Sequence, residues 1–299
     1  MTSAPVASGR RPAVTALRRF LRAPTAVIGL ALMALLILGA VFAREIAPQN
    51  PFDLAAIDVL DARLPPGSAS MSGDITYWLG TDGQGRDLFS AILYGLRTSL
   101  TVGVGSALLA GILGILLGLI AAWSGGIVDA LIMRLVDLIM SLPSILVALL
   151  MLALLGRGIG NVVLTLVLLE WAYYARTARA QALVERKRDY FEAARGLGLP
   201  TYRILLRHVL PNCLPPLLVI AALQVARAIT LEATLSFLGL GAPVTQPSLG
   251  LLIANGFQFM LSGEYWISFF PGLTLLLAIV AINLVGDRLR EVLDPRALR

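Results

Sequence analysis

The length of its apolar runs most constrains what this chain can fold into. A helix needs about 20 mostly apolar residues to cross the hydrocarbon core of a bilayer. Six stretches reach or approach that length: 26–43, 98–123, 130–155, 159–175, 214–237 and 267–285. Only 14% of the residues are charged and 58% are apolar, against about 25% charged in an average soluble domain. Backbone polar groups in lipid must be satisfied within the protein, and a helix does this segment by segment. The expectation is an all-α bundle of six membrane-spanning helices.

The basic residues set its orientation. Arg10, Arg11, Arg18, Arg19 and Arg22 precede the first stretch, eight cations from Arg176 to Arg207 lie between the fourth and fifth, and Arg288, Arg290, Arg296 and Arg299 follow the sixth. Six spans put all three groups on one side, which the excess of positive charge marks as cytoplasmic, so both termini are expected there. The segment from Arg44 to Arg97 is net acidic and falls on the other side. The first stretch lacks a small-x-small cleavage pattern at Ala40-Val41-Phe42-Ala43 and is expected to be an uncleaved anchor rather than a signal peptide. A net charge of +6 beside apolar runs fits this loop bias, and nucleic acid is not an expected partner.

Several chemistries are excluded by what is scarce. There is one cysteine, Cys213, and one histidine, His208, so an internal disulfide, a CxxC site and an HExxH zinc site cannot be built. The sole lysine, Lys187, stands in Glu185-Arg186-Lys187-Arg188 and not in a glycine-rich phosphate loop. The chain itself is expected to hold no cofactor or metal and to have no catalytic residues.

The strongest motif lies among the basic residues between the fourth and fifth stretches. Tyr190-Phe191-Glu192-Ala193-Ala194-Arg195-Gly196-Leu197-Gly198 is followed by His208-Val209-Leu210-Pro211-Asn212. Asp189 and Glu192 suit a helix N-terminus, alanines favour helix, and Gly198 is placed to end it in a left-handed conformation. Pro200 opens a second helix, which Pro211 is expected to interrupt. The product is a helix–turn–helix knuckle whose small side chains fit a groove on a partner.

This segment resembles the EAA loop of ATP-binding-cassette (ABC) importer permeases: Glu192, Ala193, Ala194 and Gly198 match with the right gap, and Leu210-Pro211 matches its leucine–proline pair, with His208 where the family has isoleucine. Leu79-Gly80-Thr81-Asp82-Gly83-Gln84-Gly85-Arg86-Asp87 before the second stretch resembles a signature of the dipeptide/oligopeptide/nickel branch, as does Leu235-Ser236-Phe237-Leu238-Gly239-Leu240-Gly241. The extra N-terminal span fits the second, C-type permease of such systems. The resemblance implies a cytoplasmic N-terminal segment (1–25), a first span (26–43), an extracytoplasmic segment ending in an amphipathic helix (44–97), a five-helix type I importer core (98–287) with its coupling loop (185–212), and a cytoplasmic tail (288–299). It implies a bacterial inner-membrane subunit that pairs with a second permease as a heterodimer, meets two ATPase subunits carrying ATP and magnesium, and receives solute from an extracytoplasmic binding protein. Glu192, Ala193, Ala194 and Gly198 are then the residues that dock on an ATPase. Peptides are the implied cargo, with nickel chelates or other solutes open.

Polar groups within the stretches are costly and often functional. Arg134 and Asp137 are spaced to pair on one helix face, Glu170 falls near the cytoplasmic end of its stretch, and Gln224, Arg227 and Glu232 are candidates for the translocation path or the permease interface. Gly103, Ala107, Gly111, Gly114 and Gly118 form a small-residue packing face, and Pro143 is expected to kink the third stretch. An importer for another solute is the nearest alternative; an ion-coupled secondary transporter is a more distant one, and no internal repeat of the kind such folds show is visible. An intramembrane enzyme is harder to assemble from so few catalytic side chains.

Overall fold

The computed structural model describes residues 19–53, 57–241, 243 and 246–293, so Arg10, Arg11, Arg18, Arg296 and Arg299 lie outside the described residues. α1 (Pro24–Val41) starts with proline, whose missing N–H is harmless in a first turn. A short α2 (Ala43–Ile46) leads into a segment of turns that contains one small antiparallel ribbon, β1 (Ser68–Ala69) against β2 (Thr76–Tyr77). There follow α3 (Leu88–Ser124), α4 (Gly126–Ser141), α5 (Ser144–Leu155), α6 (Ile159–Glu185), α7 (Asp189–Gly196) and α8 (Thr201–Ile204). A π turn over Leu205–Val209 then leads to α9 (Leu210–Phe237), α10 (Leu249–Phe257) and α11 (Trp266–Leu293).

Four helices among the described residues are long and apolar enough to cross a bilayer: α1, α3, the continuous rod Thr201–Phe237 and α11. The bent pair α4–α5 raises the number to five. α6 has the length, 27 residues, but is not among them. The apolar run expected over 159–175 is only the first part of this helix, which continues through Arg176 and Arg179. Residues 88–97 likewise form no separate helix. They are the first turns of α3, and Leu88, Ile92 and Leu96 pack with Leu249, Leu252, Trp266 and Ile267 against the bundle.

The prolines act differently at their two sites. Pro143 does more than kink its span: α4 and α5 meet at 95°, with Leu142 forced into extended backbone before it. Pro211 was expected to interrupt a helix, yet the rod runs through it, because the wide π turn just before it absorbs the irregularity.

α3 is the central element. Its glycines let other backbones approach closely: a Cβ on Gly114 would sit 2.6 Å from the Cβ of Tyr174 in α6, and one on Gly118 would sit 2.9 Å from that of Ala178. Gly103 lies under Ile229 of α9. The expected Arg134–Asp137 pair does not form; Asp137 binds Arg176 of α6, and Asp129 takes Arg179 in a two-pronged bond at 2.5 Å on each prong. α6 packs beside α4 and places Arg176 and Arg179 within reach of the two carboxylates.

Candidate functional site

At the end of α3 marked by Trp123, the chain between α6 and α9 folds into the knuckle. Its root is built from three kinds of contact. Phe191 and Ala194 of α7 enter a core with Leu119, Ala122, Ala182, Ile204 and Cys213. The Arg186 guanidinium lies 5.8 Å over the ring of Trp123 and 6.0 Å over that of Phe191, and donates to the carbonyl of Ala122. The Tyr190 hydroxyl donates to Glu185 at 2.6 Å and accepts from Asn212 at 3.3 Å. Burial and the Glu185 carboxylate push the Tyr190 phenol up to about 12, which keeps it a donor. Asn212 also donates to the carbonyl of His208 at 2.8 Å, so both halves of the motif are fastened together.

The turn follows from local chemistry. Gly198 has φ +69° and ends α7 as expected. Its N–H reaches the carbonyl of Arg195 at 2.9 Å, and the N–H of Leu199 reaches that of Ala194 at 3.3 Å, the paired bonds of a glycine-terminated helix. Pro200 then precedes α8.

The four residues assigned to docking do not share a face. Glu192, Ala193 and Gly198 are exposed, whereas Ala194 is 6% exposed and belongs to the core. Successive helical residues are about 100° apart, so Ala194 points about 200° away from Glu192 and into the core. The exposed face includes residues that sequence reasoning missed: Leu197 is 79% exposed and Tyr202 68%. Exposed large apolar side chains beside the glycine turn were the available signal.

The opposite end of α3 carries a second constellation, between Gln49 and Asp87. Gly80 and Gly85 have φ of +81° and +82°. Arg86 and Asp82 form an ion pair at 2.6 Å with side chains 4% and 3% exposed. Asp87 caps α3 by accepting from the Ser90 amide at 2.8 Å; burial raises its carboxyl above the usual carboxylate range. Asp61 accepts from the Tyr77 hydroxyl at 2.8 Å, and the indole of Trp266 in α11 donates to the carbonyl of Thr81 at 3.3 Å. The glycine-rich signature is thus a folded plug fastened to two long helices.

The residues proposed for a path or an interface turn inward. Glu232 is 2% exposed and accepts from Ser99 of α3 at 2.8 Å and Ser236 at 2.7 Å, so it ties α9 to α3 within this chain. Gln224 is 5% exposed. Arg227 is half-buried, 4.5 Å over the ring of Tyr173, and donates to Ser144 at 3.2 Å. Glu170 is not interfacial but wholly buried in the middle of α6, because that helix runs ten residues beyond the expected end.

The comparisons with known proteins agree with this architecture. Residues 114–299 match the family described as "Binding-protein-dependent transport system inner membrane component", and residues 12–66 match the "N-terminal TM domain of oligopeptide transport permease C". A Brucella suis biovar 1 (strain 1330) protein named as a peptide transport system permease is 42% identical over 96% of this chain and 93% of its own. The "Di/tripeptide transport system permease protein DppC" of Pseudomonas aeruginosa (strain UCBPP-PA14) is 41% identical over 90% of this chain and 87% of its own. The fold matches the inward-facing MetNI methionine ABC transporter with a TM-score of 0.54, at 21% identity, over 68% of this chain and 96% of that one. This chain belongs to the binding-protein-dependent transport system inner membrane components, the multi-pass bacterial inner-membrane permeases of ABC importers.

Proposed function

We propose that the chain is one half of the translocation path of an importer for short peptides, driven through its knuckle by ATP hydrolysis on partner subunits. The knuckle carries this reading: Glu192, Ala193, Gly198 and Leu197 stand exposed on a turn whose root is fixed by Phe191, Tyr190 and Arg186. A surface that is free outside and rigid inside can transmit a push. Peptides are supported by the names of relatives similar over nearly the whole length.

The proposed membrane arrangement keeps six spans. α6 is the fourth, its close packing on α3 offsetting the cost of a buried Glu170 and of a lower apolarity than the other spans have. The knuckle and both termini are cytoplasmic by the distribution of arginine. The Gln49–Asp87 plug lies outside, where a solute-binding protein would deliver cargo. A second permease completes the path as a heterodimer, and two ATPase subunits hold ATP and magnesium, since this chain has no phosphate loop of its own. Nucleotide-driven closure of the ATPases displaces the knuckle and tilts the rod Thr201–Phe237.

The test is affinity purification from native membranes in mild detergent, then uptake of labelled dipeptide by the reconstituted complex. Recovery of a second multi-span chain and one or two ATPases, with uptake that requires ATP, is the expected result. Recovery of the chain alone under conditions that preserve other membrane complexes would overturn the importer reading. An intact complex that takes up a nickel chelate and no peptide would overturn only the cargo.

A further inference from the structure

One buried ionisable group remains without a role in this scheme. Glu170 is 0% exposed, and neither carboxylate oxygen accepts a hydrogen bond from any described residue. A carboxylate left unpaired inside a span is strongly disfavoured. It lines a cavity with Tyr173, Ser144, Leu142 and Arg227. That cavity has a volume of about 10 Å³, room for one water at most, so no solute is recognised there. Arg227 is the only cation in its lining, yet its guanidinium points to Ser144 at 3.2 Å while stacked on Tyr173.

The positions of these residues give the arrangement mechanical meaning. Ser144 is the first residue of α5, directly after the 95° break at Leu142 and Pro143. Arg227 lies on the rod whose other end is the knuckle, 26 residues and about 40 Å away at 1.5 Å per residue. Glu170 and Tyr173 are three apart on α6 and so share a face. One guanidinium therefore has two acceptors at the same cavity: a hydroxyl on the bent pair, which it holds, and a carboxylate on α6, which it does not.

We propose that Arg227 is a two-position switch. It holds Ser144 at the break in this conformation and turns onto Glu170 in the alternate one, with the stack on Tyr173 as its pivot. Glu170 is then a positioning residue whose charge stabilises the second conformation, and a shift of the knuckle reaches the break through the rod. The inference rests on the coupling reading above and not on the identity of the cargo.

The experiment uses the assembled complex in lipid nanodiscs, with spin labels at Leu135→Cys and Leu150→Cys on either side of the break. Both positions are exposed, and the native Cys213 is buried. The distance distribution is recorded with and without a non-hydrolysable ATP analogue. Glu170→Gln is expected to lower the ratio of nucleotide-induced to resting conformer by about tenfold, and Ser144→Ala to raise it a few-fold. Glu170→Gln in an Arg227→Met background should change nothing further. Equal effects of the same sign from Glu170→Gln and Ser144→Ala, or additivity with Arg227→Met, would overturn the switch. If Arg227→Met does not assemble, Arg227→Gln serves as the cation-free background; Arg227→Lys, which keeps the cation and loses the flat stack, is measured beside it, and an unchanged ratio there overturns the role of Tyr173 as pivot. The readout needs no solute, so an absence of peptide uptake would count against the cargo alone.

Discussion

The two ends of α3 carry the two strongest motifs in the chain, and the motifs are used in opposite ways. At the start of the helix, Gly80, Asp82, Gly85, Arg86 and Asp87 are spent inward: Asp82, Arg86 and Asp87 are each at most 3% exposed, and the glycines make room for backbone. At the other end Glu192, Ala193, Gly196 and Gly198 lie open, and Phe191 and Ala194 fix the turn from beneath. Two short motifs that look alike in sequence, glycine-rich with one or two acids, thus specify a plug and a handle. A residue's part is decided by what the fold lays over it.

The comparison breaks most readily at the plug. Arg86→Met leaves Asp82 buried without its cation and is expected to cost about 3–5 kcal/mol, read as a lower melting temperature in detergent and poor accumulation in membranes. Adding Asp82→Leu removes the stranded charge and should recover part of the loss. A single variant as stable as the wild type would mean that the pair is exposed in the working protein.

One left-handed glycine from each motif sharpens the comparison. Both Gly85 and Gly198 have positive φ, so alanine at either incurs the left-handed penalty of about 1–2 kcal/mol. Only at Gly85 would the new Cβ also run into a backbone oxygen, that of Asp58, whereas nothing lies within 4 Å at Gly198. Gly85→Ala should therefore destabilise by about 1–3 kcal/mol more than Gly198→Ala. Equal melting temperatures for the two variants would show that the plug yields where the contact predicts that it cannot.

Local chemistry was legible before the fold was. Gly198 as a left-handed stop and the small-residue face of α3 both follow from side chains a few residues apart. Contacts between distant segments were not. Glu232 meets Ser99 across 133 positions, and Asp137 finds Arg176 across 39, so the nearer Arg134 was the wrong partner. The extent of α6 was hidden because apolar periodicity ends where its charged half begins. The break at Pro143 exceeded a kink because the bent pair turns through nearly a right angle there. Ala194 was misplaced because a motif read as a string has no faces, whereas a helix has.

Smaller effects are expected at the knuckle. Tyr190→Phe removes the donor to Glu185 and the acceptor for Asn212, a loss of about 1 kcal/mol. It should appear as faster amide exchange over residues 189–198 with the plug unchanged. Exchange that rises equally in both places would show that the two ends of α3 are not independent.

Glu192→Ala should change stability least of all and so isolates what a handle is for. The side chain is exposed, sits in the first turn of α7 and has neither an ion pair nor a hydrogen bond among the described residues. An exposed acid in a first turn contributes no more than about 0.3–1 kcal/mol through the helix dipole, so the melting temperature should hardly move. Any deficit must then appear against a partner. The expected result is a permease of normal yield that retains less ATPase after washing in detergent, and more so when Leu197→Ala, on the same exposed turn, is combined with it. If both variants keep their full complement of ATPase, the exposed face of α7 is not the contact, and the knuckle loses its distinction from the plug.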